Sequence, residues 1–134
     1  MKILVVEDDP VSQKVIEKYL CAVGSCVVAS NGMQALSHFK QAHSLGTPFN
    51  LICLDIMMPE MTGHQVLKAI RQFEQELGID TAKGCKIIMT TGLNDAENVV
   101  GAFEQGCEAY VTKPIDKAQL LSELKKLGIY PAPN

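Results

Sequence analysis

Five side chains in this 134-residue chain stand where apolar runs give way to polar loops. Glu7 and Asp8 follow the run from Ile3 to Val6, and Asp55 follows Leu51 to Leu54. Thr91 follows Ile87 to Met89, and Lys113 follows Ala109 to Val111. If those runs are neighbouring strands, the five side chains converge. Three carboxylates in one pocket repel each other. At ~4 Å and an effective dielectric of ~20, each like pair costs roughly 4 kcal/mol. One lysine offsets part of that. A divalent hard cation offsets more, and oxygen ligands without thiolate or imidazole favour Mg²⁺. Mg²⁺ takes one or two carboxylates together with phosphate oxygens, so the implied substrate is a phosphoryl group. The nucleophile is then a carboxylate, since Asp can form an aspartyl phosphate. Lys113 suits one phosphoryl oxygen and the Thr91 hydroxyl another. The backbone N–H groups of Gly92 and Met58 supply further donors.

The elements that must position these groups are legible in the same letters. Asp9 caps a helix whose first turn holds Pro10, and Val11, Val15, Ile16, Tyr19 and Leu20 recur at helical spacing. Gly24 stops that helix, and Cys26 to Ala29 is a second strand. Asn31-Gly32 opens a second helix bearing Ala35, Leu36 and Phe39. The third strand, Leu51 to Leu54, is apolar on both faces and belongs at the centre of a covered parallel sheet. A third helix carries Val66, Leu67, Ile70 and Phe73, and a polar loop, Gly78 to Gly84, follows it. The fourth helix, capped by Asn94 or Asp95, carries Val99, Val100 and Phe103 and ends at Gly106. The fifth, capped by Asp116, carries Leu120, Leu121, Leu124 and Leu127. Five βα units predict an α/β fold. The expected form is the flavodoxin-like doubly wound (βα)5 sheet, with five parallel strands in the order 2-1-3-4-5 and helices on both faces. Ligands of such sheets bind beyond the carboxyl ends of the strands, where the five side chains stand.

Composition narrows the classes. Hydrophobic residues make up 47% and charged residues 20%, close to the globular average, which argues against disorder. No apolar run approaches the ~18 residues of a membrane-spanning helix. Fifteen acids against twelve bases give a net charge of −3, against a nucleic-acid-binding surface. Five cysteines, at 21, 26, 53, 85 and 107, form no C-x-x-C pair. They read as reduced thiols of a cytoplasmic protein, with Cys53 in the core. His38, His43 and His64 are scattered and read as solvated helix residues.

ILVVEDDP, LICLDIMMPEMTG, IIMTTG and AYVTKP fall in order, each at a strand end. Together they resemble the receiver domain of two-component response regulators, over residues 2–127. The resemblance implies Asp55 as phospho-acceptor. It implies Asp8 and Asp55 as direct Mg²⁺ ligands, with the Met57 carbonyl as third and Glu7 acting through water. Thr91 matches the switch hydroxyl and Lys113 the phosphate-pairing lysine. Tyr110 matches the switch aromatic, which rotates inward when Thr91 moves. The family usually has a cis peptide before the Pro114 position. The implied activity is a phosphoacceptor switch that assists its own phosphotransfer and slow autodephosphorylation, not an enzyme. The phosphoryl group comes from a phosphohistidine of a histidine kinase or phosphotransfer protein.

Residues 1–128 are expected to form the receiver domain and 129–134 a tail or linker stub. No output segment follows the fifth helix, so signalling is expected through the face of helix four, strand five and helix five. That side carries Glu104, Lys117, Lys125 and Lys126, as a monomer or a phosphorylation-dependent dimer. Met57 and Leu93 occupy positions that tune hydrolysis in the family. Neither can hydrogen-bond an attacking water, so a long-lived aspartyl phosphate is expected. Two alternatives use related parts. A haloacid-dehalogenase-like phosphatase needs a second Asp two residues after the first, where this chain has Met57. A flavin-binding flavodoxin-like protein binds phosphate after strand one, where this chain has acids.

Overall fold

The computed structural model describes residues 1–92 and 106–131. Its strands are β1 (Lys2–Val6), β2 (Ser25–Ala29), β3 (Leu51–Asp55), β4 (Lys86–Thr91) and β5 (Ala109–Thr112). Its helices are α1 (Pro10–Leu20), α2 (Gly32–Ser44), α3 (Gly63–Glu76) and α4 (Lys117–Lys126), the last being the fifth predicted from sequence. The predicted fourth helix, with Asn94, Asp95, Val99, Val100 and Phe103, lies outside the described residues, as do Leu93 and Glu104. All strand pairs are parallel, in the order β2-β1-β3-β4-β5. The expected fold is therefore the observed one.

Strand alternation sorts the core into two layers. Leu4, Val6, Ile52, Leu54, Ile87 and Met89 face α2 and α3, packing with Phe39, Val66 and Ile70. Ile3, Val5, Leu51, Cys53, Ile88 and Val111 face α1 and α4, packing with Ile16, Leu20, Leu120 and Leu124. Every residue of β3 is buried, as its doubly apolar sequence requires. Each fully buried Leu or Ile contributes ~1.5–3 kcal/mol of burial.

The helix starts follow from side-chain caps. Asp9 accepts from Ser12 N at 3.2 Å, Asn31 from Gln34 N at 2.8 Å and Asp116 from Gln119 N at 2.9 Å. Thr62 and Gln65 close a reciprocal capping box on α3. Gly63 is required there, because a Cβ would collide with the Asp55 carbonyl and the Ile56 Cα. The expected polar loop contains a single 3-10 turn, Thr81–Lys83.

Three features depart from the sequence reading. Ile129, placed in the tail, is buried among the α1 and α4 side chains, and its N–H donates to Leu124 O at 2.9 Å. His43 is not simply solvated: it packs edge-on against Phe39 and Phe73, with ring centroids 5.0 and 5.6 Å away. Arg71 of α3, which the sequence reading did not single out, sits at the centre of a largely buried network at the amino end of β4. Its guanidinium donates to Glu74 Oε1 at 2.7 Å, Cys85 O at 2.8 Å, Glu108 Oε1 at 2.8 Å and Gly106 O at 2.8 Å. The second carboxylate oxygens accept backbone N–H groups, Glu74 from Cys85 at 2.7 Å and Glu108 from Ile87 at 2.6 Å. Each buried charge is thereby paired and hydrogen-bonded.

Candidate functional site

The carboxyl ends of β1, β3, β4 and β5 bring the predicted side chains to one end of the sheet. Glu7 and Asp55 are buried and Asp8 is exposed. One carboxylate oxygen from each lies within 4.8 Å of the others. Lys113 follows β5 and reaches back across the sheet. Its Nζ lies 2.8 Å from Glu7 Oε2 and 3.2 Å from Asp55 Oδ2. Both contacts are ion pairs without a well-directed hydrogen bond, since neither oxygen has a hydrogen-bond partner. The other oxygens are held by backbone: Asp9 N donates to Glu7 Oε1 at 3.2 Å, and Met57 N to Asp55 Oδ1 at 3.2 Å.

Burial dominates the protonation of this group. It pushes the Glu7 carboxyl up to about 7, against the opposing pull of Lys113 and with the Asp55 charge adding to the rise. Burial likewise raises Asp55, opposed by Lys113. Burial pulls Lys113 down, but the adjacent Glu7 and Asp55 carboxylates outweigh that and raise it. One ammonium is insufficient for two buried carboxylates and a third at the rim. The donor set is all oxygen, and two of its buried oxygens lack a hydrogen-bond donor. Such a set fits a hard divalent cation.

The remaining predicted residues take different positions. Met58 is buried, while the Met57 side chain is 64% exposed at the mouth of the site. Thr91 is buried at the end of β4, where its hydroxyl donates to Gly92 O at 3.3 Å. Gly92 is exposed, with open space where a Cβ would be. Tyr110 on β5 is 39% exposed. The Lys113–Pro114 peptide is cis. Lys113 N donates to Thr91 O at 2.7 Å, tying the β5 end to the β4 end.

Two contributors escaped the sequence reading. Gln13 of α1 donates from Nε2 to both Glu7 O and Ser30 Oγ, fixing the backbone that carries the first acid. Thr90 is 1% exposed, and its Oγ1 has no hydrogen-bond partner among the described residues. Its register partner is Asp55, and strand alternation from Asp55 was the signal that could have found it.

Comparison with known proteins bears on what this arrangement serves. Residues 3–125 match the family model described as the response regulator receiver domain. The hybrid signal transduction histidine kinase L of Dictyostelium discoideum is 35% identical over 129 residues, covering 95% of this chain and 7% of that protein. The transcriptional regulatory protein AruR of Pseudomonas aeruginosa is 34% identical over 127 residues, covering 94% of this chain and 48% of that protein. The chain thus spans less than half the length of these curated relatives. Among solved structures, the Vibrio cholerae chemotaxis protein CheY4 superposes with a TM-score of 0.78 at 27% identity, covering 93% of this chain and 96% of that one. The beryllofluoride-activated receiver domain of DrrB superposes with a TM-score of 0.75 at 29% identity, covering 93% and 94%. Neither the phosphatase nor the flavin-binding alternative finds support in these likenesses. Among the described residues, no helix is long and apolar enough to cross a membrane. The match over nearly the whole chain, on a sheet of the same order, makes this chain a member of the response regulator receiver domain family of two-component signalling.

Proposed function

We propose that Asp55 accepts a phosphoryl group from a phosphohistidine of a histidine kinase or phosphotransfer protein. The observation that carries this reading is the approach of Lys113 Nζ to Asp55 Oδ2, 3.2 Å, beside a cluster of three carboxylates. An Asp55 carboxylate oxygen attacks phosphorus, the P–N bond breaks, and its electron pair leaves with the imidazole. Lys113 pairs with one equatorial oxygen of the transferring group, and the Thr91 hydroxyl and the N–H groups of Met58 and Gly92 donate to others. Glu7, Asp8 and Asp55, with the Met57 carbonyl, would hold Mg²⁺, Glu7 through water. When bound, that ion neutralises charge on the phosphoryl oxygens and offsets the repulsion among the acids.

The phosphorylated state biases a two-state surface in which Thr91 and Tyr110 move together. Output passes through β5, α4 and the predicted fourth helix to a downstream protein in the cytoplasm, as a monomer or a phosphorylation-dependent dimer. The domain itself acts as a switch that assists its own phosphotransfer rather than as an enzyme turning over an external substrate. Acetyl phosphate with Mg²⁺ is expected to give an acid-labile label, and Asp55→Asn to abolish it. Undiminished label on Asp55→Asn would place the acceptor elsewhere and overturn the reading.

A further inference from the structure

Three buried side-chain oxygens on one face of the sheet lack a directed hydrogen bond among the described residues: Glu7 Oε2 and Asp55 Oδ2, which face only the Lys113 ammonium, and Thr90 Oγ1. The face follows from alternation. Glu7 continues Ile3 and Val5, Asp55 continues Leu51 and Cys53, and Thr90 continues Ile88, all within the layer facing α1 and α4. Lys113 continues Ala109 and Val111 on the same side. Thr91 alternates with Ile87 and Met89 to the other side. Thr90, not Thr91, is therefore the hydroxyl whose strand position lies directly beside Asp55, its register partner. Adjacent strands lie ~4.8 Å apart, so the Thr90 hydroxyl and the Asp55 carboxyl are side-by-side neighbours on this face.

A buried hydroxyl without a partner is costly, and an apolar side chain of the same shape would avoid the cost. β3, β4 and β5 supply such apolar side chains at the neighbouring positions of this face, Cys53, Ile88 and Val111. A hydroxyl here has a use once Asp55 needs another donor. That need arises in the reaction proposed above, on which this inference rests. As Lys113 turns to the incoming phosphoryl group, the Asp55 oxygen it faced loses its cation.

We propose that Thr90 is a positioning residue for Asp55: its hydroxyl donates to the buried acceptor oxygen in the phosphorylated state, replacing Lys113 there. Thr90 then holds the carboxyl orientation while the ammonium serves the phosphoryl oxygens. The cost is carried by the unmodified state and recovered in the modified one, so the residue biases the switch as well as aligning it.

The test is Mg²⁺-dependent binding of beryllofluoride, a phosphoryl mimic, measured by calorimetry alongside urea unfolding without the mimic. Thr90→Val is expected to unfold at the same or a higher urea concentration than the parent, yet to bind beryllofluoride about tenfold more weakly. Thr90→Ser, which keeps the donor, is expected to bind within about twofold of the parent. Should Thr90→Val fail to fold, Thr90→Ala carries the same comparison with Thr90→Ser. A hydroxyl-free variant that binds as tightly as the parent overturns this proposal and leaves the acceptor role of Asp55 intact. Absence of binding by the parent itself overturns both.

Discussion

Lys113 lies closer to Glu7 than to Asp55: its Nζ is 2.8 Å from the former and 3.2 Å from the latter. The ammonium is thus shared between a carboxylate proposed to bind metal and one proposed to accept phosphoryl. Lys113 contacts both buried carboxylates and offsets part of their charge.

Replacing Lys113 by Met should therefore destabilise the metal-free protein by about 3 kcal/mol, the scale of stranding buried charges. Urea unfolding with a chelator present measures it. Adding Mg²⁺ should recover more stability in the variant than in the parent, because the variant has more uncompensated negative charge. Equal Mg²⁺ stabilisation of the two would separate the lysine from the metal cluster.

The Arg71 network makes a second, independent demand. Arg71→Ala leaves the buried Glu74 and half-buried Glu108 carboxylates without their guanidinium, an expected loss of ~3 kcal/mol in urea unfolding. Arg71→Lys should recover little of it. A point charge cannot reproduce a fork that reaches two carboxylates and the carbonyls of Cys85 and Gly106 at once.

Thiol reactivity reads the core directly. Cys21 is exposed, while Cys53, Cys85 and Cys107 are buried, and all five cysteines are free. Native protein should modify quickly at Cys21, with the three buried thiols reacting only on unfolding. Burial pushes the half-buried Cys26 thiol up to about 11. Its alkylation rate should therefore keep rising with pH towards 11, since the reactive thiolate is still the minor form below that. Mass spectrometry of pulse-labelled protein resolves the sites.

Met57 is expected to set the lifetime of the proposed aspartyl phosphate. Its thioether, exposed beside Asp55, offers no strong donor or acceptor to orient a water. The aspartyl phosphate should accordingly decay slowly for this family, and Met57→Asn should speed its loss several-fold. Release of label from purified phosphoprotein in Mg²⁺ gives both rates. Equal rates would leave hydrolysis controlled elsewhere.

Much of the scaffold was legible because its cues are local. Period-2 and period-3.6 runs, Asp9, Asn31 and Asp116 as caps, and acids at strand ends all lie within a few residues of what they determine. The capping box at Thr62 and Gln65 was equally readable from its three-residue spacing. The Arg71 network was not, because its carboxylates stand 3 and 37 positions along the chain and meet only after β4 and β5 pair. A lone arginine on an amphipathic helix gives no hint of that. Thr90 was hidden for the opposite reason. Its neighbours Thr91 and Gly92 make the stretch look like ordinary turn chemistry, and only register with β3 sets it beside Asp55. His43 reads as polar by type, yet two phenyl rings enclose it once α2 meets α3.

The 3-10 turn at Thr81–Lys83 joins α3 to the amino end of β4, the edge of the sheet remote from Asp55. Asp80, Thr81, Ala82 and Lys83 all face solvent. That geography places a handle for a fluorophore or epitope at the opposite end of the sheet from the proposed acceptor Asp55.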